Sequence, residues 1–321
     1  MAASLRLLCL LLALGGLGGC YFYLDPPAND DDSTEELADD DDSAEPPGDD
    51  DDSAEPPGDD DDSAEPPGDD DDSAEPDDPC VDAGRQIFLI GRDDAELYAF
   101  VPTTGALTLI GQLDCSVWGS PASMAVTRDG FGYVRYSDNE VYEVDLFTTD
   151  CTPTGYQDAG FGAFGMGFSA TLGSTSLDTL FVANEEMLAV LDPSTWQMTD
   201  VGALPSQSEL TGTGAGELWA ILPLEDPPSA VRLDPATAAV VETLPLSGLP
   251  SAQNIDTFAF AHWGGSLWVF IRSYGLGNST DVFQVDPSGA LSSPWLDLGI
   301  DVVGAGVSTC APLVPDAGPG S

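Results

Sequence analysis

An apolar-aromatic step followed by a second strand and a turn returns five times between residues 85 and 310. That recurrence constrains the fold more than any other feature of the chain. The steps are "IFLI" at Phe88, "GYVR" at Tyr133, "LFVA" at Phe181, "LWAI" at Trp219 and "LWVF" at Trp268. The turns that follow start at Val101, Asp145, Asp192, Asp234 and Asp286, at spacings of 44, 47, 42 and 52 residues. The intervening sequence is short apolar runs broken by Gly, Pro, Asp and Ser. No 3.6-residue stripe appears, so the segment reads as all-β. A repeat of this length is the size of a four-stranded propeller blade.

A run of small residues precedes four of the steps: "SMAVTRDG", "MGFSATLG", "LTGTGAG" and "FAFAHWGG". Small side chains suit innermost strands, where blades converge on a narrow channel. The step at Phe88 has no such run before it, and the missing piece stands at the other end as "VVGAGVSTC" (302–310). The last strand is therefore expected to complete the first blade and close the ring, which removes exposed sheet edges. The expected architecture is a five-bladed β-propeller over residues 80–312, with residues 313–321 a disordered tail.

The chain begins with features of a targeting segment. "MAASLR" carries one positive charge, Arg6, and "LLCLLLAL" is apolar but too short for a membrane span. Leu17-Gly18-Gly19-Cys20 resembles the bacterial lipobox. That resemblance implies a signal peptide over 1–19 and a lipid on Cys20. Tyr21, rather than an aspartate, follows the cysteine, which in diderm bacteria implies the outer membrane.

Residues 20–79 read as a disordered, lipid-anchored linker. "DDDDSAEPPG" occupies 39–48, 49–58 and 59–68, with a fourth variant copy at 69–78. Residues 21–79 hold 28 of the 57 acids and no base. So little apolar surface cannot offset the entropy of ordering. Pro-Pro pairs and like charges favour an extended chain, longer than the roughly 45 Å of a neutral coil and below a ceiling of about 200 Å. The acids are contiguous and followed by proline, unlike the alternating ligands of an EF-hand loop. The repeat is thus read as a spacer rather than a Ca²⁺ site.

Lysine is absent, all seven bases are arginine, and the formal net charge is -50. Nucleic-acid phosphates would repel such a chain, which excludes them as partners. Of six cysteines, Cys9 falls in the signal peptide and Cys20 takes the lipid. The remaining four are even in number, which in an exported domain favours two disulfides with three possible connectivities. Cys80 precedes the first blade and Cys310 ends the closing strand, so a bond between them would lock the ring. Cys115 and Cys151 remain by elimination, although the strand order places them towards opposite faces. No CxxC or Cys/His spacing indicates zinc.

In a propeller, loops between the second and third strands share a face with the entrances to the inner strands. Here that face is acidic. The loops carry Asp93, Asp138, Glu185 and Glu225, and the entrances carry Glu209, Asp256 and Asp301. Two functional readings follow. In one, the acidic face binds a cation such as Ca²⁺, or a protein or glycan ligand. In the other, Glu209, Asp256 and Asp301 supply the acid and the base or nucleophile of a glycan hydrolase, with Trp263 as a platform for sugar stacking. The plain alternative is a set of solvated acids in a chain acidic throughout. His262, the one histidine, reads as a packed polar residue, and the five aromatic steps read as core between blades.

"FGMGF" (164–168), "ELTGTG" (209–214), "FAHWGG" (260–265) and "VGAGVSTCAP" (303–312) resemble uncharacterised bacterial lipoproteins of myxobacterial type. The resemblance covers about 80–312. It implies a β-propeller and a lipid anchor, and it brings no activity and no catalytic residue. The expectation is a monomeric binding or scaffold module tethered to the outer membrane, facing the periplasm or the cell surface. A glycan-active hydrolase is the second expectation.

Overall fold

The structure is a computed structural model and describes residues 79–115, 118–172, 174, 176–275 and 279–314. The signal peptide, Cys20, the repeat linker up to residue 78, Asn278 of the one Asn-x-Ser/Thr sequence, and the tail from residue 315 lie outside the described residues.

The folded part opens with a short helix, α1 (Pro79–Gly84), which the all-β reading had not foreseen. Among the described residues twenty strands follow, in five four-stranded antiparallel sheets. Blade one joins β20 (Val302–Gly306) to β1 (Ile87–Gly91), β2 (Glu96–Val101) and β3 (Ala106–Gln112). Blade two comprises β4 (Pro121–Val126), β5 (Phe131–Tyr136), β6 (Val141–Asp145) and β7 (Cys151–Pro153). Blade three comprises β8 (Gly165–Ala170), β9 (Asp178–Ala183), β10 (Met187–Asp192) and β11 (Gln197–Ala203). Blade four comprises β12 (Glu209–Gly212), β13 (Leu218–Leu222), β14 (Ser229–Leu233) and β15 (Val240–Pro245). Blade five comprises β16 (Ile255–Trp263), β17 (Ser266–Ser273), β18 (Asp281–Val285) and β19 (Leu291–Trp295). The C-terminal strand pairs with β1, Phe88 opposite Gly306 and Ile90 opposite Gly304, as the displaced small-residue run predicts. The chain thus forms a five-bladed β-propeller.

The aromatic steps explain what holds the ring. Phe88, Tyr133, Phe181, Trp219 and Trp268 are all buried, and each belongs to a different apolar cluster. Each cluster spans two adjacent blades. Every blade therefore contributes one large ring to one interface, and burying such a ring supplies a few kcal/mol. The turns at Asp145, Asp192, Asp234 and Asp286 are fixed by their own carboxylates. Asp145 Oδ1 accepts from the Phe147 N–H at 2.8 Å, and Asp192, Asp234 and Asp286 repeat that bond two residues on.

The inner strands β4, β8, β12, β16 and β20 touch one another in sequence around the axis. A Cβ on Gly167 would meet the Leu210 backbone at 2.8 Å, and one on Gly212 would clash with Phe168. Small residues are needed there because neighbouring backbones nearly touch. The space left between β4, β8, β12 and β20 is about 10 Å³, too little for more than one water. The channel is plugged at its middle, so its two mouths are separate places.

Both expected disulfides are formed, Cys80–Cys310 with Cα atoms 5.6 Å apart and Cys115–Cys151 at 5.1 Å. The second bond joins residues that the strand order places towards opposite faces. Propeller sheets twist strongly, and the end of β3 reaches the turn between β6 and β7, with Gly111 against Thr149. The final segment stays attached beyond Cys310. Gly264 N–H donates to the Pro312 carbonyl, and Gly265 lies against Leu313. Leu313 and Val314, expected to open a disordered tail, therefore lie against the turn that follows β16.

Candidate functional site

The inner strands enter from one face, here the entry face, and leave at the opposite turn face. Glu209 begins β12, Asp256 is the second residue of β16, and Asp301 stands one residue before β20. All three carboxylates are brought to the entry-face mouth, as the strand order implies. A cavity of about 420 Å³ opens there, lined among others by Arg92, Arg135, Glu209 and Asp256 with Ser137 and Phe164.

The three acids are not equivalent. Asp256 and Asp301 are locked into a ring of ion pairs. Arg272 Nη1 reaches Asp256 Oδ2 at 2.5 Å and Asp301 Oδ2 at 2.7 Å, and Arg92 reaches the same two residues at 3.5 and 3.1 Å. Arg92 N–H also donates to the Asp301 carbonyl at 2.8 Å, and Thr257 Oγ1 bonds Asp301 Oδ1 at 3.2 Å. Arg92 follows β1, Asp256 and Arg272 belong to blade five, and Asp301 introduces the closing strand. The network therefore ties the last blade to the first. Asp301 does not line the cavity.

Glu209 is 8% exposed and makes no ion pair among the described residues. Ser123 Oγ donates to its Oε2 at 2.7 Å, and Ser123 Oγ in turn accepts from Met166 N–H at 3.2 Å. Burial pushes the carboxyl up to about 8, against weaker opposing effects of Ser123 and Arg135. Glu209 consequently holds its proton at neutral pH.

Arg135, at the fifth position of β5, was absent from the sequence reading. It is 7% exposed. Nε donates to the Phe164 carbonyl at 2.7 Å, Nη1 donates to the Tyr136 carbonyl at 3.1 Å, and the guanidinium lies 5.4 Å from the Phe164 ring centroid. The one signal in the sequence was scarcity. Six arginines serve the folded part, and three of them, Arg92, Arg135 and Arg272, sit at this mouth.

The loop acids Asp93, Asp138 and Glu185 are exposed, and Glu225 is half-buried. They stand on the entry face but none lines the large cavity. Glu185 instead borders a hollow of about 210 Å³ with Asn184 and Glu186. Among the described residues no three His, Cys, Asp or Glu side chains converge closely enough to hold a metal ion.

Trp263 requires a correction. It ends the nine-residue strand whose second residue is Asp256, and so lies on the turn face, about 24 Å from Asp256 along the strand. It is 4% exposed, and its indole N–H donates to the Gly84 carbonyl at 2.9 Å. It packs the end of α1 and is no platform for a ligand among the carboxylates. His262 is buried beside it, and desolvation lowers its pKa, in keeping with a packed polar residue.

No family model matches the chain, and no curated protein matches it. Among solved structures, a protein of unknown function from Bacteroides caccae aligns with 69% of this chain and 97% of its own, at 11% identity and a TM-score of 0.42. A chain of a nidogen/laminin complex aligns with 71% of this chain and 87% of its own, at 13% identity and a TM-score of 0.43.

Proposed function

We infer that the chain is a lipid-anchored β-propeller of a bacterial cell envelope that binds a small ligand at its entry-face mouth. The fold is consistent with a binding or scaffold module. The observation that carries the ligand reading is the cavity itself, about 420 Å³ of space above a plugged channel, with charged and apolar groups converging on it. That volume is within the range of small-molecule sites. The anchor reading rests on the Leu17–Cys20 sequence, and the acidic repeat supplies the reach. Two measurements test the proposal. Cys20→Ala should move the protein from the membrane to the soluble fraction of envelope preparations. An envelope extract should yield a compound that raises the melting temperature of the wild type but not of Ser137→Trp, which obstructs the mouth of the cavity. An extract without effect would remove the binding-module reading.

A second reading, a glycan hydrolase, draws support from one pair. Glu209 keeps its proton while Asp256, in the same cavity, is ion-paired, and acid catalysis on glycans uses a protonated and an ionised carboxyl together. Against it, both Asp256 contacts with arginine serve ring closure, and Glu209 is nearly covered. Release of reducing sugar from a glycan panel, abolished by Glu209→Gln, would favour the hydrolase. No release from any glycan would retire it.

A further inference from the structure

We propose that the entry-face cavity takes the carboxylate of a small polar monoacid, with Arg135 as its recognition residue. This rests on the binding-module reading above. Among the described residues Arg135 makes no ion pair, and its Nη2 carries no hydrogen bond. A guanidinium stays charged even when buried, and an unpaired buried charge is costly unless something completes it. Every other arginine of the folded part has a carboxylate partner: Asp82 for Arg85, Asp178 for Arg128, Glu242 for Arg232, and the Asp256–Asp301 ring for Arg92 and Arg272. In a chain with 57 acids, the one arginine without a carboxylate partner among the described residues lines the entry-face cavity.

The balance of charge in the cavity favours a single negative charge. Arg92 and Arg272 are neutralised by Asp256 and Asp301. Glu209, which lines the same cavity as Arg135 and accepts from Ser123 Oγ, is uncharged while it holds its proton. One positive charge remains. With Nε and one Nη1 N–H engaged, the guanidinium keeps both Nη2 N–H groups and the second Nη1 N–H for a planar carboxylate. A doubly charged phosphate would bring more charge than the mouth can neutralise, inside a strongly acidic domain. The rest of the lining is neutral: Ser120, Ser137, Gln207 and Thr257 offer hydrogen bonds, and Phe164 and Phe258 offer apolar surface. Such a lining fits a hydroxyl- or amide-bearing body such as a sugar acid or an N-acyl amino acid.

Thermal-shift titration and calorimetry of the intact chain with D-glucuronate, N-acetylglycine, D-glucose and inorganic phosphate test the assignment. The two carboxylates should raise the melting temperature saturably, and glucose and phosphate should not. Arg135→Gln should abolish the shift, and Arg135→Lys should weaken binding by roughly tenfold, because an ammonium lacks the planar fork. Should either variant fail to fold, Ser137→Trp, at an exposed rim position, should block the carboxylates by itself. Carboxylate binding that survives Arg135→Gln, phosphate binding more tightly than either carboxylate, or no response to either carboxylate would overturn the assignment. Glucose binding that Ser137→Trp removes would keep the mouth as a binding site while removing the carboxylate from it. No binding by any of the four, with an inert envelope extract, would remove both readings.

Discussion

The closing strand β20 is fastened at both ends, by different chemistry. At the entry face, Asp301 is held by Arg92 and Arg272, charges that also grip Asp256. At the turn face, Cys310 is bonded to Cys80, and Thr309 Oγ1 donates to Asp178 at 2.6 Å, where Arg128 also pairs. The first fastening borders a cavity and is partly wet. The second is covalent and packed against α1, where a Cβ on Gly84 would meet the Cys310 carbonyl at 2.7 Å. The contrast teaches where this ring can afford polar chemistry. A covalent clasp at one mouth leaves the other free to be built from ionisable groups, which a ligand site needs.

The contrast breaks hardest at the disulfide. Cys80 and Cys310 are 230 residues apart, and a crosslink over so long a loop contributes about 5 kcal/mol on the chain-entropy account. Replacing both by serine should lower urea-unfolding stability by that order and leave the loss insensitive to salt. The Cys115–Cys151 pair, 36 residues apart, should cost less when replaced, about 4 kcal/mol. If the two double variants lose the same stability, Cys80–Cys310 is not the principal clasp.

Asp301→Asn tests the other end. It removes one of the two carboxylates that Arg92 and Arg272 share, so a loss of about 3 kcal/mol is expected. Salt should destabilise the wild type more than the variant, since only the wild type has the full network to screen. A loss below roughly 0.5 kcal/mol, ordinary for a surface pair, would show that the entry face needs no clasp.

Glu209 sharpens the comparison through pH. Its folded value of about 8 lies above the ordinary 4.5, so in that window the unfolded chain has released a proton that the folded chain keeps. Stability should therefore be highest below pH 4.5 as far as this group is concerned, fall as pH rises towards 8, and level off above. The fall should be a few kcal/mol, and Glu209→Gln should flatten it. A variant whose pH profile matches the wild type would mean that Glu209 ionises normally.

The smallest effect is expected from the acidic repeat. Deleting residues 59–68, one whole copy, should leave the melting temperature unchanged. A change of several degrees would mean that the repeat takes part in the stability of the disulfide end.

Much of this was legible because propeller blades are local. Each blade after the first is built from consecutive residues, so aromatic steps, Asp turns and small-residue strands recur at nearly even spacing. The displaced run at 302–310 even betrayed the closure. The entrance acids were equally legible, since strand order alone decides which face a residue reaches. Strand order also puts Trp263 opposite Asp256. The nine residues of β16 carry the Trp263 indole to the far mouth, away from the carboxylates.

Residue order could not say which acids would be spent. Asp256, Asp301 and Glu209 look alike in the chain, yet two became ion-paired clasps and one a neutral buried acid. That division depends on which arginines come within a few ångströms from other blades, and those approaches are set by packing across the ring. The turns hide a similar decision. Thr149, Trp196 and Ala238 adopt positive φ of 66°, 56° and 60° at equivalent turn positions, where glycine would have been the expected signal. The sequence by itself determined the number of blades, the closure and the face on which charge gathers, because these follow from local periodicity. Only the tertiary structure decided that Arg135 would stand above a plugged channel without a carboxylate partner among the described residues, because desolvation and pairing are properties of neighbours distant in sequence.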